Sequence, residues 1–215
     1  MLKELLFPLA DMYSAFNIFK YITFRAAYAA VTALFLSFLL GPVIIRSLKK
    51  FKLGQMIRLD GPQSHFSKSG TPTMGGLIII LSIIVSSLLW QDLSNAYVWI
   101  GIISMLGFGL VGFLDDYLKI TKKSSEGLHG KLKFLGQITV SLVIVLFIYF
   151  NKNEHTTLLY LPFLKNAVMD LGVLYIPFGV FVLVAWTNAV NLTDGLDGLA
   201  IGLVIMVGIA FAILT

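Results

Sequence analysis

The sequence predicts an all-α integral membrane protein. Of its 215 residues, 58% are hydrophobic and only 13% are charged, and the mean hydropathy is +0.90. A soluble domain carries about a quarter of its residues as charged ones. Apolar runs of membrane length recur along the chain, with the charges gathered between them. Because lipid cannot satisfy the backbone of an open strand, each run is predicted to be a helix.

The chain begins with residues 1–21, where charges such as Lys3 and Asp11 interrupt the apolar residues. This segment is too interrupted to span a membrane and is predicted to form a short helix at the interface. The six predicted spans are residues 24–48, 74–89, 97–114, 132–150, 171–189 and 199–215. Gly41-Pro42 is predicted to bend the first span near its far end. Residues 1–215 are thus predicted to form a single polytopic membrane domain.

The basic residues predict the orientation. Eleven of the sixteen Lys and Arg residues lie in or beside the first and third loops: Arg46, Lys49, Lys50, Lys52, Arg58, Lys68, Lys119, Lys122, Lys123, Lys131 and Lys133. The positive-inside rule places these loops and the fifth in the cytoplasm, and the N-terminus in the periplasm. The net charge of +5 is explained by this membrane face and implies no nucleic acid. The absence of cysteine excludes disulfides and thiolate chemistry.

Two adjacent acids follow the third predicted span. Asp115 and Asp116 end the apolar run, and Lys119 comes close behind them. Two such acids repel each other and resist dehydration, so they need a metal ion, a proton or a basic neighbour. Asp115 and Lys119 share a helical face, while Asp116 points roughly 100° away. The two acids could therefore bind one ligand from two sides. Interfacial anchoring is the simpler alternative, but acids contribute little to orientation, and a functional role is favoured.

Two more polar segments are predicted on the cytoplasmic side. In residues 64–76, Lys68 stands among hydroxyls and glycines that suit phosphate oxygens, although a solvated basic loop is favoured for this segment alone. In residues 187–198 four polar side chains recur at every third position: Asn188, Asn191, Asp194 and Asp197. Amides and carboxylates so spaced suit a nucleobase, sugar hydroxyls or a metal, whereas a capped polar loop is the alternative. The three segments are predicted to share one cytoplasmic site.

The motifs together resemble a known family. They are Asp60-Gly61-Pro62, Ser64-His65, Thr71 to Gly76, Gly112 to Tyr117, and Asn188 to Gly198. In order and spacing they are similar to the bacterial phospho-N-acetylmuramoyl-pentapeptide transferases, a branch of the polyprenyl-phosphate sugar-1-phosphate transferases. The resemblance implies an Mg²⁺-dependent enzyme of the bacterial inner membrane with its active site facing the cytoplasm. Its substrates would be UDP-N-acetylmuramoyl-pentapeptide and undecaprenyl phosphate, and its products lipid I, for peptidoglycan synthesis, and UMP.

The resemblance also implies residue roles. Asp115 and Asp116 would be catalytic and candidate Mg²⁺ ligands, with Asp115 the candidate base. The residues implied to bind the uridine and diphosphate are Lys68, Thr73, Lys119, Lys131, Asn188, Asn191 and Asp194. Asp197 matches its motif without an assigned role. Membrane lipid is the other implied partner, and a homodimer is left open.

Family members are expected to be longer, with ten spans. Their later half would supply another metal-binding aspartate and a histidine-rich loop, which these 215 residues lack. We therefore expect a fragment, truncated within or after the sixth span and inactive alone.

Other interpretations stay open. One is a sibling transferase for UDP-N-acetylglucosamine, although Ser64-His65 and the stretch from Thr71 to Met74 argue against it. Another is an ion-coupled transporter, whose acids should lie mid-span in repeated halves rather than at cytoplasmic span ends. The last is a truncated, non-catalytic product that only associates with partners.

Overall fold

The computed structural model describes residues 1–50, 73–122, 127–151, 153, 155–161, 163–166, 168–194 and 198–214. The chain divides into two compact units, Met1–Lys133 and Phe134–Thr215, which are taken separately below.

Helices make up most of the described chain. The α-helices are α1 (Leu2–Leu6), α2 (Ile22–Lys50), α3 (Gly76–Trp90), α4 (Ala96–Thr121), α5 (Gly130–Phe150), α6 (Tyr175–Thr193) and α7 (Leu199–Leu214). In the described part of the chain, 3₁₀ helices cover Phe7–Asp11, Ser14–Lys20 and Gly172–Leu174. Two short antiparallel strands, β1 (Leu158–Leu159) and β2 (Met169–Asp170), form a small hairpin that the sequence analysis did not predict.

The prediction of a helical membrane protein is confirmed. Among the described residues, four helices are long and apolar enough to cross a membrane, at Ile22–Lys50, Ala96–Thr121, Gly130–Phe150 and Gly172–Thr193. The other two predicted spans are also apolar helices, but α3 has 15 residues and α7 has 16. At 1.5 Å per residue each falls short of a hydrocarbon core of about 30 Å. Six crossings and a periplasmic N-terminus therefore stay predictions.

The helix that contains the third predicted span extends beyond the predicted end of that span. The apolar run stops at Leu114, but α4 continues past the two acids to Thr121, with Lys122 as its C-cap. The helix continues because Lys119 stands three and four residues after the acids and neutralises both of them. The acids thus lie within the helix rather than at its end.

In the first unit, the N-terminal segment is tied to the link between α3 and α4. Lys3 forms an ion pair with Asp92 in that link. The segment is not the single short helix that was predicted, because α1 gives way to 3₁₀ turns where Pro8 removes a backbone donor. Its location at a membrane interface stays a prediction.

Aromatic rings gather where the end of α3 lies beside the beginning of α2. Trp90 stacks on Phe19 at 6.1 Å and contacts Tyr28 at 5.3 Å between ring centroids. Its indole N–H also donates to the Thr32 hydroxyl at 2.9 Å. The helix α2 runs without interruption through Pro42, and the predicted bend there stays a prediction.

In the second unit, α6 comes close to α5 at Gly179. A Cβ at Gly179 of α6 would lie 3.0 Å from a methyl of Val145 on α5, so the glycine permits the approach. Across the described chain, the most completely buried side chains are polar: Ser82, Gln137 and Ser141. By contrast α7 has no buried residue.

Candidate active site

The two acids of α4 form an ion cluster with two lysines in the first unit. The ammonium of Lys119 lies 2.7 Å from Oδ2 of Asp115 and 3.1 Å from Oδ1 of Asp116. The ammonium of Lys133, on α5, lies 3.7 Å from the same Asp115 oxygen. Two negative and two positive charges thus balance within one cluster. The predicted sharing of a helical face by Asp115 and Lys119 is confirmed, and Lys119 reaches Asp116 as well.

The two carboxylates differ in their surroundings. The Asp115 side chain is 13% exposed, and its other oxygen, Oδ1, accepts a hydrogen bond from the backbone N–H of Leu128 at 2.8 Å. The Asp116 side chain is 34% exposed, and Lys119 is its one ion-pair partner in the described residues. Asp115 is therefore held at both oxygens, whereas Asp116 is the more accessible acid.

Thr73 lies in the same unit, just before α3. Its hydroxyl is buried and has no hydrogen-bond partner among the described residues. The next residue, Met74, is buried and has a φ of +68°, a left-handed conformation that costs a side-chain-bearing residue about 1–2 kcal/mol. A strained turn therefore leads into α3 beside a buried hydroxyl that has no partner among the described residues. Lys68 lies outside the described residues.

In the second unit, α6 carries the repeated polar side chains. The amide nitrogen of Asn188 donates to the Val184 carbonyl and to Oε1 of Gln137 on α5, both at 2.8 Å. Because the backbone carbonyl can only accept, it fixes which end of the amide is nitrogen. Both N–H groups of Asn188 are used, so its oxygen Oδ1 is the atom left to meet a ligand.

Two of the later residues in this series of polar side chains, Asn191 and Asp194, lie at the end of α6. Asn191 is exposed in the last turn, and Asp194 is the C-cap residue, whose N–H donates to the Val190 carbonyl. Asp197 lies outside the described residues. That these polar side chains share one site with Asp115 and Asp116 stays a prediction.

Lys131 is exposed at the start of α5 and forms no ion pair with a described residue. Its neighbour two positions later, Lys133, is the lysine that reaches Asp115. From the sequence, Lys133 is predicted to be a cytoplasmic loop charge that could also steer an anionic substrate, with no predicted contact to Asp115. A basic residue near the start of the fourth span was the available signal, but spacing alone does not say which lysine turns toward α4.

Gln137 and Leu128 were also missed. Gln137 is a lone amide in an apolar span, which is a signal that sequence reasoning can use, because buried amides need partners. Leu128 acts through its backbone N–H, for which its residue type gives no signal.

The cluster partly fits a magnesium ion. Mg²⁺ is commonly bound by one or two carboxylates together with substrate phosphates, and two adjacent acids supply the first part of that set. Asp116 fits best because it is accessible, whereas both Asp115 oxygens are engaged. In the part of the chain that the structure describes, no three His, Asp or Glu side chains come together as a metal site.

The fold and the cluster define a multi-pass helical membrane protein with paired acids on a spanning helix. The sequence model of glycosyl transferase family 4 matches residues 98–215, more than half of the chain and including the cluster. The chain therefore belongs to glycosyl transferase family 4. A second match, to the phospho-N-acetylmuramoyl-pentapeptide-transferase signature 1, covers residues 68–80.

Curated relatives agree with this assignment. The chain is 53% identical over 215 residues to a protein of Thermodesulfovibrio yellowstonii, covering all of this chain and 60% of the relative. It is 51% identical over 202 residues to one of Syntrophus aciditrophicus, covering 94% of this chain and 56% of the relative. It is 51% identical over 213 residues to one of Desulforapulum autotrophicum, covering 99% and 59%. All three relatives are named phospho-N-acetylmuramoyl-pentapeptide-transferase, which confirms the resemblance. The chain spans about three fifths of their length.

Proposed function

We propose that this chain takes part in transferring phospho-N-acetylmuramoyl-pentapeptide from its UDP-linked precursor to undecaprenyl phosphate, giving lipid I and UMP. The observation that carries the proposal is the cluster of Asp115, Asp116 and Lys119 within the region that matches the family. The signature match and the names of the relatives select this substrate class within the family.

The cluster suits phosphoryl transfer, which depends on positioning and on neutralising charge. Lys119 has three N–H donors, and its two ion pairs use two of them. The third is available for a phosphate oxygen of the UDP-linked substrate. Lys133 is 3.7 Å from Asp115, too far for a hydrogen bond, so its donors are also available to a phosphate.

The two acids take different roles in this proposal. Asp115, held by Lys119 and the Leu128 N–H, orients the lysine and remains the candidate base. A lipid phosphate is already largely ionised at neutral pH, so it needs orientation more than deprotonation. Asp116, with Asp115 beside it, would hold Mg²⁺, which would neutralise charge on the diphosphate oxygens.

We assign the uridine and the rest of the diphosphate to the other polar residues. Asn188 presents an acceptor, which suits the uracil N–H or a ribose hydroxyl better than a phosphate oxygen. The Thr73 hydroxyl, which has no partner in the described part of the chain, suits a phosphate oxygen. The other proposed substrate-binding residues are Lys68, Lys131, Asn191 and Asp194.

The proposed location is the bacterial inner membrane with the site facing the cytoplasm, as the loop charges indicate. Membrane lipid is a proposed partner, and crosslinking in native membranes tests for a homodimer.

The test is release of UMP by detergent-solubilised protein given undecaprenyl phosphate, UDP-N-acetylmuramoyl-pentapeptide and Mg²⁺. Two forms are assayed: this chain, and this chain extended by the part of the Thermodesulfovibrio yellowstonii relative that it lacks. We expect UMP release by the extended form, reduced more than about a hundredfold by Asp115→Asn, since loss of transition-state charge stabilisation costs that much. Asp11→Asn is the matched control, because Asp11 is exposed in the N-terminal segment.

The alternatives give different results in the same preparation. Activity only with UDP-N-acetylglucosamine would identify the sibling transferase. No UMP release by a folded extended form, with proton or sodium uptake into proteoliposomes that Asp115→Asn abolishes, would contradict the transferase proposal in favour of a transporter.

A further inference from the structure

Gly127 lies directly against the ion cluster. A Cβ at this position would stand 2.7 Å from Cε of Lys119 and 2.9 Å from Cγ of Asp115, and it would overlap Oδ1 of Asp115. Real Cβ atoms essentially never come within 3.0 Å of another side chain. Gly127 does not have a positive φ, so the requirement here is for space and not for an unusual backbone conformation.

This close approach allows a backbone hydrogen bond. The next residue, Leu128, donates its N–H to Oδ1 of Asp115 at 2.8 Å, across thirteen positions of sequence. Oδ2 of the same carboxylate is turned toward Lys119. The Asp115 carboxylate is thus held from both sides, with one oxygen on a backbone donor and the other on the ammonium.

A hydrogen bond from a backbone N–H to a carboxylate is among the stronger and more directional contacts in proteins. A backbone donor also cannot change rotamer, whereas a lysine side chain can. The orientation of Asp115, and through it that of Lys119, therefore depends on where the backbone at residues 127 and 128 lies.

We infer that Gly127 and Leu128 are positioning residues of this site, forming a backbone clamp on Asp115. Gly127 supplies the space and Leu128 supplies the donor. The part of the inference that concerns catalysis rests on the proposed function, whereas the clamp itself does not. Neither residue touches a reacting atom in this account, because both act through Asp115.

The first test measures hydrogen exchange at the Leu128 amide in the chain as it is. We expect Asp115→Ala and Gly127→Ala to speed exchange by about tenfold or more, because each breaks the only protecting contact described for that amide. Gly130→Ala is the matched control, since a Cβ there meets no atom within 4 Å. Equal exchange in all four proteins would overturn the clamp.

A second measurement distinguishes an effect of Gly127→Ala that acts through Asp115 from a general loss of stability. The decrease in Tm caused by Gly127→Ala is measured in the native protein and in the Asp115→Ala variant. Since removing the carboxylate removes most of what the new methyl would meet, the loss should be smaller in the second background. An equal loss in both backgrounds would mean that Gly127 does not act through Asp115.

The catalytic part is tested in the extended form. We expect Gly127→Ala to lower kcat more than about tenfold while KM for the UDP-linked substrate changes less than about threefold, because substrate binding is kept and transition-state positioning is lost. Gly130→Ala should leave both constants unchanged. A change in KM alone would contradict a positioning role. If no protein releases UMP, the transferase proposal fails, and hydrogen exchange still decides the clamp.

Discussion

Replacing Lys119 by methionine removes the ammonium that joins the two acids of α4 while keeping the length and apolar stem of the side chain. Both ion pairs, at 2.7 Å and 3.1 Å, are then lost. Asp115 keeps the Leu128 N–H and the more distant Lys133, but Asp116 keeps no ion pair with a described residue. Two adjacent negative charges remain with one cation in place of two.

The expected loss of stability follows from burial. A hydrogen bond to a charged group contributes about 1.5–3 kcal/mol when buried, and an exposed ion pair about 0–1 kcal/mol. The contact to Asp115 belongs nearer the first range, since this acid is 13% exposed, and the contact to Asp116 belongs to the second, since both partners are 34% exposed. We expect Lys119→Met to cost about 2 kcal/mol, or about 4–8 °C in Tm for a chain of this size.

The assay is thermal unfolding in detergent, with Lys122→Met as the matched control, because Lys122 is an exposed lysine at the end of the same helix. Adding Asp116→Asn to each protein makes the test sharper, because its effect on Tm should have opposite signs in the native protein and in Lys119→Met. It removes an ion pair from the native protein, whereas in Lys119→Met it relieves repulsion with Asp115 and should raise Tm. A Tm for Lys119→Met within about 1 °C of the control would refute this account of the cluster.

Two further predictions concern the other contacts. Lys3 holds the pKa of the Asp92 carboxyl well below its usual range, so this ion pair stabilises the native protein above the unfolded-state pKa of about 3.9 and is lost as the pH falls further. Limited proteolysis of the N-terminal segment should therefore be slow from pH 7 to about 4 and faster below, and in Lys3→Met it should be fast throughout. Gln137→Leu should lower the unfolding free energy by about 0.5–1.5 kcal/mol, because it leaves a part-buried N–H of Asn188 without its acceptor. In the same unfolding assay, Ser141→Ala is the control. It removes a buried hydroxyl with no partner among the described residues and should be neutral or stabilising. Equal changes of the unfolding free energy in the two variants would contradict the contact between Gln137 and Asn188.

Much of the fold could be predicted from the sequence because lipid imposes simple requirements. Membrane-length apolar runs have to be helices, so all six predicted spans appear as helices within a few residues of their expected bounds. The loss of hydropathy at Asp115 marks the end of the apolar run but not the end of α4. Charge pairing between i and i+4 carried the helix on to Thr121.

The site could be predicted only where its contacts are local. The contact between Asp115 and Lys119 follows from helical spacing. The contacts of Asp115 with Leu128 and Lys133 depend on the path of the chain between two helices, which hydropathy does not encode. The amide pair of Gln137 and Asn188 likewise depends on how two apolar helices turn toward each other.

The small polar side chains buried in this protein have a consequence for its tolerance of mutation. In a soluble protein the interior is apolar, and exchanges among surface residues are nearly free. Here Ser82 and Ser141 are fully buried while large apolar side chains such as Phe38 and Phe181 are exposed. Lipid accepts one apolar side chain about as well as another, so helix association depends on close packing and hydrogen bonds. A scan of all single substitutions should therefore find that Ser82 and Ser141 tolerate alanine but not larger side chains, whereas exposed positions such as Phe38 and Phe181 tolerate other apolar residues.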